Sequence, residues 1–72
     1  MDNNGIEIYV PFVFYEAFLK AIERLQDTKR KVEIIKEKEI KNRNEFYITV
    51  KCEHPIDYYY LGIQFMNEKE KV

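Results

Sequence analysis

The clearest alternation of apolar and polar positions lies in Pro11–Asp27, where Phe14, Ala17, Phe18, Ala21, Ile22 and Leu25 recur at three- and four-residue spacings. Glu16, Lys20, Glu23, Arg24 and Asp27 fall mostly on the other side, so the segment reads as an amphipathic helix with one face to bury. Pro11 fits the first turn, where its missing N–H is not needed, and the helix is expected to run to about Gln26. Ahead of it, Ile6, Ile8 and Val10 alternate with Glu7 and Tyr9 in the two-residue period of a half-buried strand. Downstream, Phe46, Ile48, Val50 and Cys52 alternate with Tyr47, Thr49 and Lys51, which gives a second strand.

Two segments are less decided. Lys31–Ile40 fits a helix through Val32, Ile35 and Glu39, or a strand through Val32, Ile34 and Ile40. The polar cluster Lys41-Asn42-Arg43-Asn44 before the next alternating run favours a hairpin, and therefore a strand. If Val32 and Ile34 face the core, Lys36 and Lys38 follow them inward; a bulge at Ile34–Ile35 would bring Glu37 and Glu39 inward instead. The last segment, from Ile56 to Met66, has Ile56, Tyr59, Tyr60, Ile63 and Met66 at helical spacing, with Pro55 and Asp57 placed as at a helix start. Its tyrosines and Gly62 suit a fourth strand, so that alternative stays open. Residues 1–5 and 68–72 are polar and are expected to fray.

The resulting order, β-α-β-β-α over a single domain of residues 1–72, predicts an α+β fold in which two helices cover one face of a three-stranded antiparallel sheet. Its core would join Phe14, Phe18, Ile22 and Leu25 to Ile8, Ile48 and Val50. A chain of 72 residues hides only about 60% of its unfolded surface, which leaves a small margin of stability. One cysteine, Cys52, cannot form an internal disulfide, and with a single histidine there are too few soft ligands for structural zinc. Association with another chain is the remaining way to stabilise so small a fold.

Charge alters this picture locally. The net charge is −1, but residues 28–43 carry seven cations against three carboxylates, so the middle of the chain is basic between two acidic ends. Lys36, Lys38, Lys41 and Arg43, with Tyr47 across the hairpin, are candidate contacts for a nucleic acid, the cations tracking phosphate and the ring stacking on a base. Interleaved glutamates, and the use of edge lysines to discourage strand pairing, account for the same residues without a ligand.

For catalysis the sequence offers little. Cys52 and His54 invite a thiol and base, yet Cys52 keeps the inward parity of Phe46, Ile48 and Val50, as a structural core cysteine would. No phosphate loop, CxxC, HExxH or GxSxG pattern is present, and no cofactor or metal is expected. Three consecutive tyrosines, Tyr58–Tyr60, spread around most of a helix, so one must face away from the core. With Ile56, Tyr59, Tyr60 and Ile63 inside, Tyr58, Leu61 and Phe65 would form an outward strip suited to a protein partner, most simply a second copy of the chain. The sequence thus points to a non-catalytic protein-interaction or regulatory protein, with nucleic-acid binding as the alternative. Lysine, asparagine, isoleucine and glutamate enrichment suggests a bacterial or phage source, and the lone cysteine without an apolar leader or membrane-length run suggests the cytoplasm.

Overall fold

A computed structural model of the chain describes residues 5–71 and contains, in order, β1 (Ile6–Pro11), α1 (Tyr15–Asp27), β2 (Val32–Ile40), β3 (Glu45–Cys52) and α2 (Ile56–Lys69). The strands form one antiparallel sheet in the order β1-β3-β2, so β3 is inserted between two strands joined by α1. The fold is the expected α+β arrangement, and the last element is a helix.

β1 ends later than its sequence suggests. Pro11 keeps an extended backbone (ψ 146°) and sits opposite Glu45, which an edge strand tolerates because no neighbour needs the missing N–H. The expected helix start at Pro11 is therefore displaced. Phe12–Phe14 makes a 3-10 turn, tied to the hairpin by the Phe12 N–H donating to the Asn44 carbonyl at 2.9 Å, and α1 proper begins at Tyr15. At the other end of β1, Gly5 has φ +92°, and a Cβ there would lie 2.4 Å from the Val50 carbonyl oxygen. This residue, grouped with the fraying start by composition, is held flush against β3; residues 1–4 and 72 lie outside the described residues.

α1 buries the face its spacing selects: Ala17, Phe18, Ala21, Ile22 and Leu25 are all buried, while Phe14 is only partly so. Phe18, Ala21, Ile22 and Leu25 meet Val10, Ile48, Val50, Cys52 and Val32 from the sheet and Leu61 from α2. The helix closes in a Schellman turn, with the Arg30 N–H donating to the Leu25 carbonyl and the Lys29 N–H to the Gln26 carbonyl. Lys29 occupies the left-handed position (φ 66°) that glycine usually takes. The turn aims Arg30 back at α2.

The hairpin settles the ambiguity in β2. Ile34 pairs with Val50 and Lys36 with Thr49, so Ile35 is bulged out and is half exposed. Beyond the bulge, Glu37 and Glu39 share the helix-covered side with Ile48 and Phe46, and the Tyr15 hydroxyl donates to Glu37 Oε1 at 2.8 Å. Lys36 and Lys38 go to the uncovered side. The turn is a short 3-10 segment, Lys41–Arg43, closed by Asn44 in the left-handed region (φ 55°).

α2 lies with its faces reversed relative to the sequence reading. Leu61 is buried, Tyr58 and Phe65 pack against the core, and the Tyr58 oxygen accepts the Cys52 backbone N–H at 3.1 Å. Ile56, Tyr59, Tyr60, Ile63 and Met66 are the exposed residues. The cause is electrostatic. Asp57 and Glu68, three turns apart on the Leu61 side, are buried at 1% and 4% exposure because Arg30 and Arg24 reach them, each at 2.5 Å. A face chosen by hydrophobicity alone treats both carboxylates as outward. Glu68, expected in a fraying tail, anchors the last turn instead, with Lys71 a second cation at 3.3 Å.

Candidate functional site

Two uncovered surfaces lie on opposite sides of the molecule. The first is the outer face of α2. Ile56, Tyr59, Ile63 and Met66 follow one another at spacings of three, four and three residues, with Tyr60 alongside, and their exposures run from 38% to 65%. That spacing makes a straight seam of the kind that two packed helices share. Tyr59 and Tyr60 rings contact each other edge-on at 5.9 Å, and the Arg30 guanidinium lies 4.4 Å from the Tyr60 ring centre. The seam is thus continuous with the pair that part-exposed Arg30 makes with buried Asp57 at the start of α2. Beside it, Gly62 is exposed, and a Cβ built there meets nothing within 4 Å. Glycine in mid-helix costs about 1 kcal/mol relative to alanine, and no atom of the described chain requires it.

The sequence-selected strip of Tyr58, Leu61 and Phe65 does not supply this surface. Phe65 packs edge-to-face on Phe18 at 5.2 Å, Leu61 is 3% exposed, and Tyr58 caps the end of β3. The correction follows from the two ion pairs described above. The helix still has two apolar strips, as its tyrosine run implies, but the one left over is the one the sequence places inside.

The second surface is the open side of the sheet, away from both helices. Tyr9, Tyr47 and Lys38 stand side by side on β1, β3 and β2, with the two rings 5.0 Å apart. Lys36 lies next along β2, opposite Thr49. Arg43, from the hairpin turn, places its guanidinium 5.5 Å from the Tyr9 ring centre and pairs with Glu45 at 3.1 Å. Lys41 is exposed in the same turn. The structure therefore brings Lys36, Lys38, Arg43 and Tyr47 together and adds Tyr9, which sequence reasoning passed over although its parity in β1 is the outward one. Among the described residues Lys36, Lys38 and Lys41 make no ion pair.

The groups with catalytic promise are otherwise engaged. Cys52 is fully buried, and burial first, then the charge of Asp57, push its thiol up to about 11, so the nucleophilic thiolate is not available near neutral pH. His54 is exposed and serves the chain through its carbonyl, which accepts the Asp57 N–H at 2.9 Å. Burial, together with donation to Glu37, raises the Tyr15 hydroxyl above its ordinary value. No group of three or more metal-ligating side chains occurs among the described residues, and no helix is long and apolar enough to cross a membrane. No family model, no curated protein and no solved structure matches the chain.

Proposed function

We propose that the protein is a small non-catalytic interaction protein that works by docking the outer seam of α2 against another protein chain, in the first instance a second copy of itself. The observation that carries this reading is the seam: four large apolar side chains in register, Ile56, Tyr59, Ile63 and Met66, with a dispensable glycine beside them. A two-fold pairing of α2 with α2 lets one patch serve both chains, and Gly62 lets the two backbones approach closely. Tyrosine suits such a surface because it covers a large area while its hydroxyl stays in water. The small size of the domain supports the same conclusion, since a paired chain buries apolar surface that 72 residues alone leave wet. The proposal extends to a regulatory role in a bacterial or phage cytoplasm, where a lone buried cysteine stays reduced.

The test separates folding from association. Gly62→Ala raises helix propensity with no steric penalty inside the chain, so it should stabilise the isolated domain by about 1 kcal/mol while weakening self-association. Tyr59→Glu with Ile63→Glu should abolish association and leave the far-ultraviolet circular dichroism unchanged. Association of this double variant as strong as that of the natural chain would reject the seam as the contact surface.

A further inference from the structure

We propose that the open face of the sheet binds single-stranded nucleic acid, with Tyr9 and Tyr47 as the stacking platform and Lys36, Lys38 and Lys41 as the phosphate contacts. This is a different surface from the α2 seam, and the inference does not rest on self-association. A protein dimer formed through α2 would leave the open sheet face of each copy uncovered.

The bulge in β2 sets the charge of this face. β2 reads Lys36-Glu37-Lys38-Glu39, a sequence whose charges cancel when averaged over the strand. A strand, however, sends alternate residues to opposite faces, and the bulge at Ile35 sets which go where. Both lysines stand with Thr49 and Tyr47 on the open face, and both glutamates stand on the helix side, where Glu37 is occupied by the Tyr15 hydroxyl. The bulge therefore converts a neutral run into a cationic edge bordering an aromatic pair. Lys36 and Lys38, two residues apart on one strand, set their stems about 6.6 Å apart along it, a row that can follow a backbone.

The remaining carboxylates on this face are largely answered by cations. Glu45 is paired with Arg43 at 3.1 Å, and Glu33 lies directly across from Lys51. Glu7 stands opposite Thr49 on the far strand, so it is the one carboxylate of the face without a cation across from it. The three lysines in turn make no ion pair among the described residues; Lys36 and Lys38 border the rings along β2, and Lys41 continues the cationic row into the hairpin turn. Tyr9 is 53% exposed, and Arg43 lies over one face of its ring, 5.5 Å from the centre, so a base stacks on the other face or displaces the guanidinium. An exposed ring and a half-exposed one, bordered by lysines without an ion pair, suit unpaired bases and not a duplex, whose bases are already stacked on each other. An acidic protein segment would use the lysines but leave the rings without a matching group.

Fluorescence anisotropy with labelled single-stranded RNA and DNA of about ten nucleotides tests this directly, with the matching duplex and heparin as comparison polyanions. Binding of a single strand is expected, tighter than of the duplex or heparin, with affinity falling as salt rises from about 50 to 200 mM; three phosphate contacts give a log–log slope near −2. The RNA and DNA arms show which backbone is preferred. Tyr9→Leu with Tyr47→Leu should weaken binding by at least about fivefold without changing that slope, because stacking is removed and charge is kept. Lys36→Gln with Lys38→Gln should flatten the slope. Lys38→Glu, an exposed reversal on the edge strand beside Tyr47, should abolish binding even if the tyrosine variants fold poorly. Absence of single-strand binding at the lowest salt would overturn the proposal. So would equal affinity for heparin with no effect of the tyrosine changes, since that describes attraction to any polyanion, an acidic protein included.

Discussion

Replacing Arg30 by methionine is the perturbation most revealing of how α2 is seated. Asp57 is 1% exposed and depends on Arg30 for its ion pair, with its other carboxylate oxygen buried and unpartnered among the described residues; Arg30 itself is 37% exposed. The cost of breaking the pair is therefore lopsided. Losing the cation leaves a buried carboxylate uncompensated, at about 3–5 kcal/mol. Asp57→Asn leaves a cation that water can still reach, and should cost only about 1.5–3 kcal/mol for the charge-assisted bond. Methionine keeps an aliphatic stem but also removes the guanidinium lying 4.4 Å from the Tyr60 ring centre, a further loss of about 0.5–1 kcal/mol at so exposed a ring. Against a total of about 4–11 kcal/mol for 72 residues, Arg30→Met removes a large share of the stability. Urea denaturation of the two single variants and the double variant is the assay. Arg30→Met should be the more damaging single change, and the double variant should recover about 1–3 kcal/mol relative to the sum of the singles. Equal single effects with strict additivity would refute the claim that a buried Asp57 charge orients the helix.

Phe18→Ala should cost about 3–5 kcal/mol, against under about 1 kcal/mol for the neighbouring Leu19→Ala, because Phe18 is 1% exposed and Leu19 38%; thermal melting of both variants checks the contrast. Burial raises the Glu68 carboxyl, but the bonds and charges of Arg24 and Lys71 outweigh it and hold the group below 4.5, so its contribution to stability is present above that value. That contribution is lost as pH falls through the lowered value, and Glu68→Gln should flatten this part of the acid limb in pH-dependent urea midpoints. The Cys52 thiol is raised from 9.0 to about 11, so folding favours its protonated form; stability should decline as pH rises through that interval, and a thiol reagent at neutral pH should label Cys52 only when the domain opens.

What could be read in the sequence was what local spacing determines. The α1 face is legible because Ala17, Phe18, Ala21, Ile22 and Leu25 form one stripe with charges largely outside it, and β3 is legible because Phe46, Ile48, Val50 and Cys52 alternate without a break. The α2 face was not, since apolar side chains surround that helix and its orientation is decided by partners 27 and 44 residues away in sequence, Arg30 for Asp57 and Arg24 for Glu68. Pro11 looked like a helix start because its φ suits both states; its opposition to Glu45 across the sheet keeps it extended. The basic hairpin residues were visible by composition, whereas Tyr9 joins them only through the pairing of β1 with β3 across the whole of α1 and β2. The bulge at Ile35 was open in the sequence because either register placed two charges inward, and Tyr15 meeting Glu37 on the helix side is a partner no strand pattern contains.

Sedimentation equilibrium of the natural chain from micromolar to millimolar concentration decides whether the α2 seam is a contact surface. A reversible rise from the monomer mass of 8.8 kDa to twice that value is expected, with the Tyr59→Glu, Ile63→Glu variant remaining monomeric over the whole range. A natural chain that stays at the monomer mass throughout would contradict self-association through Ile56, Tyr59, Ile63 and Met66.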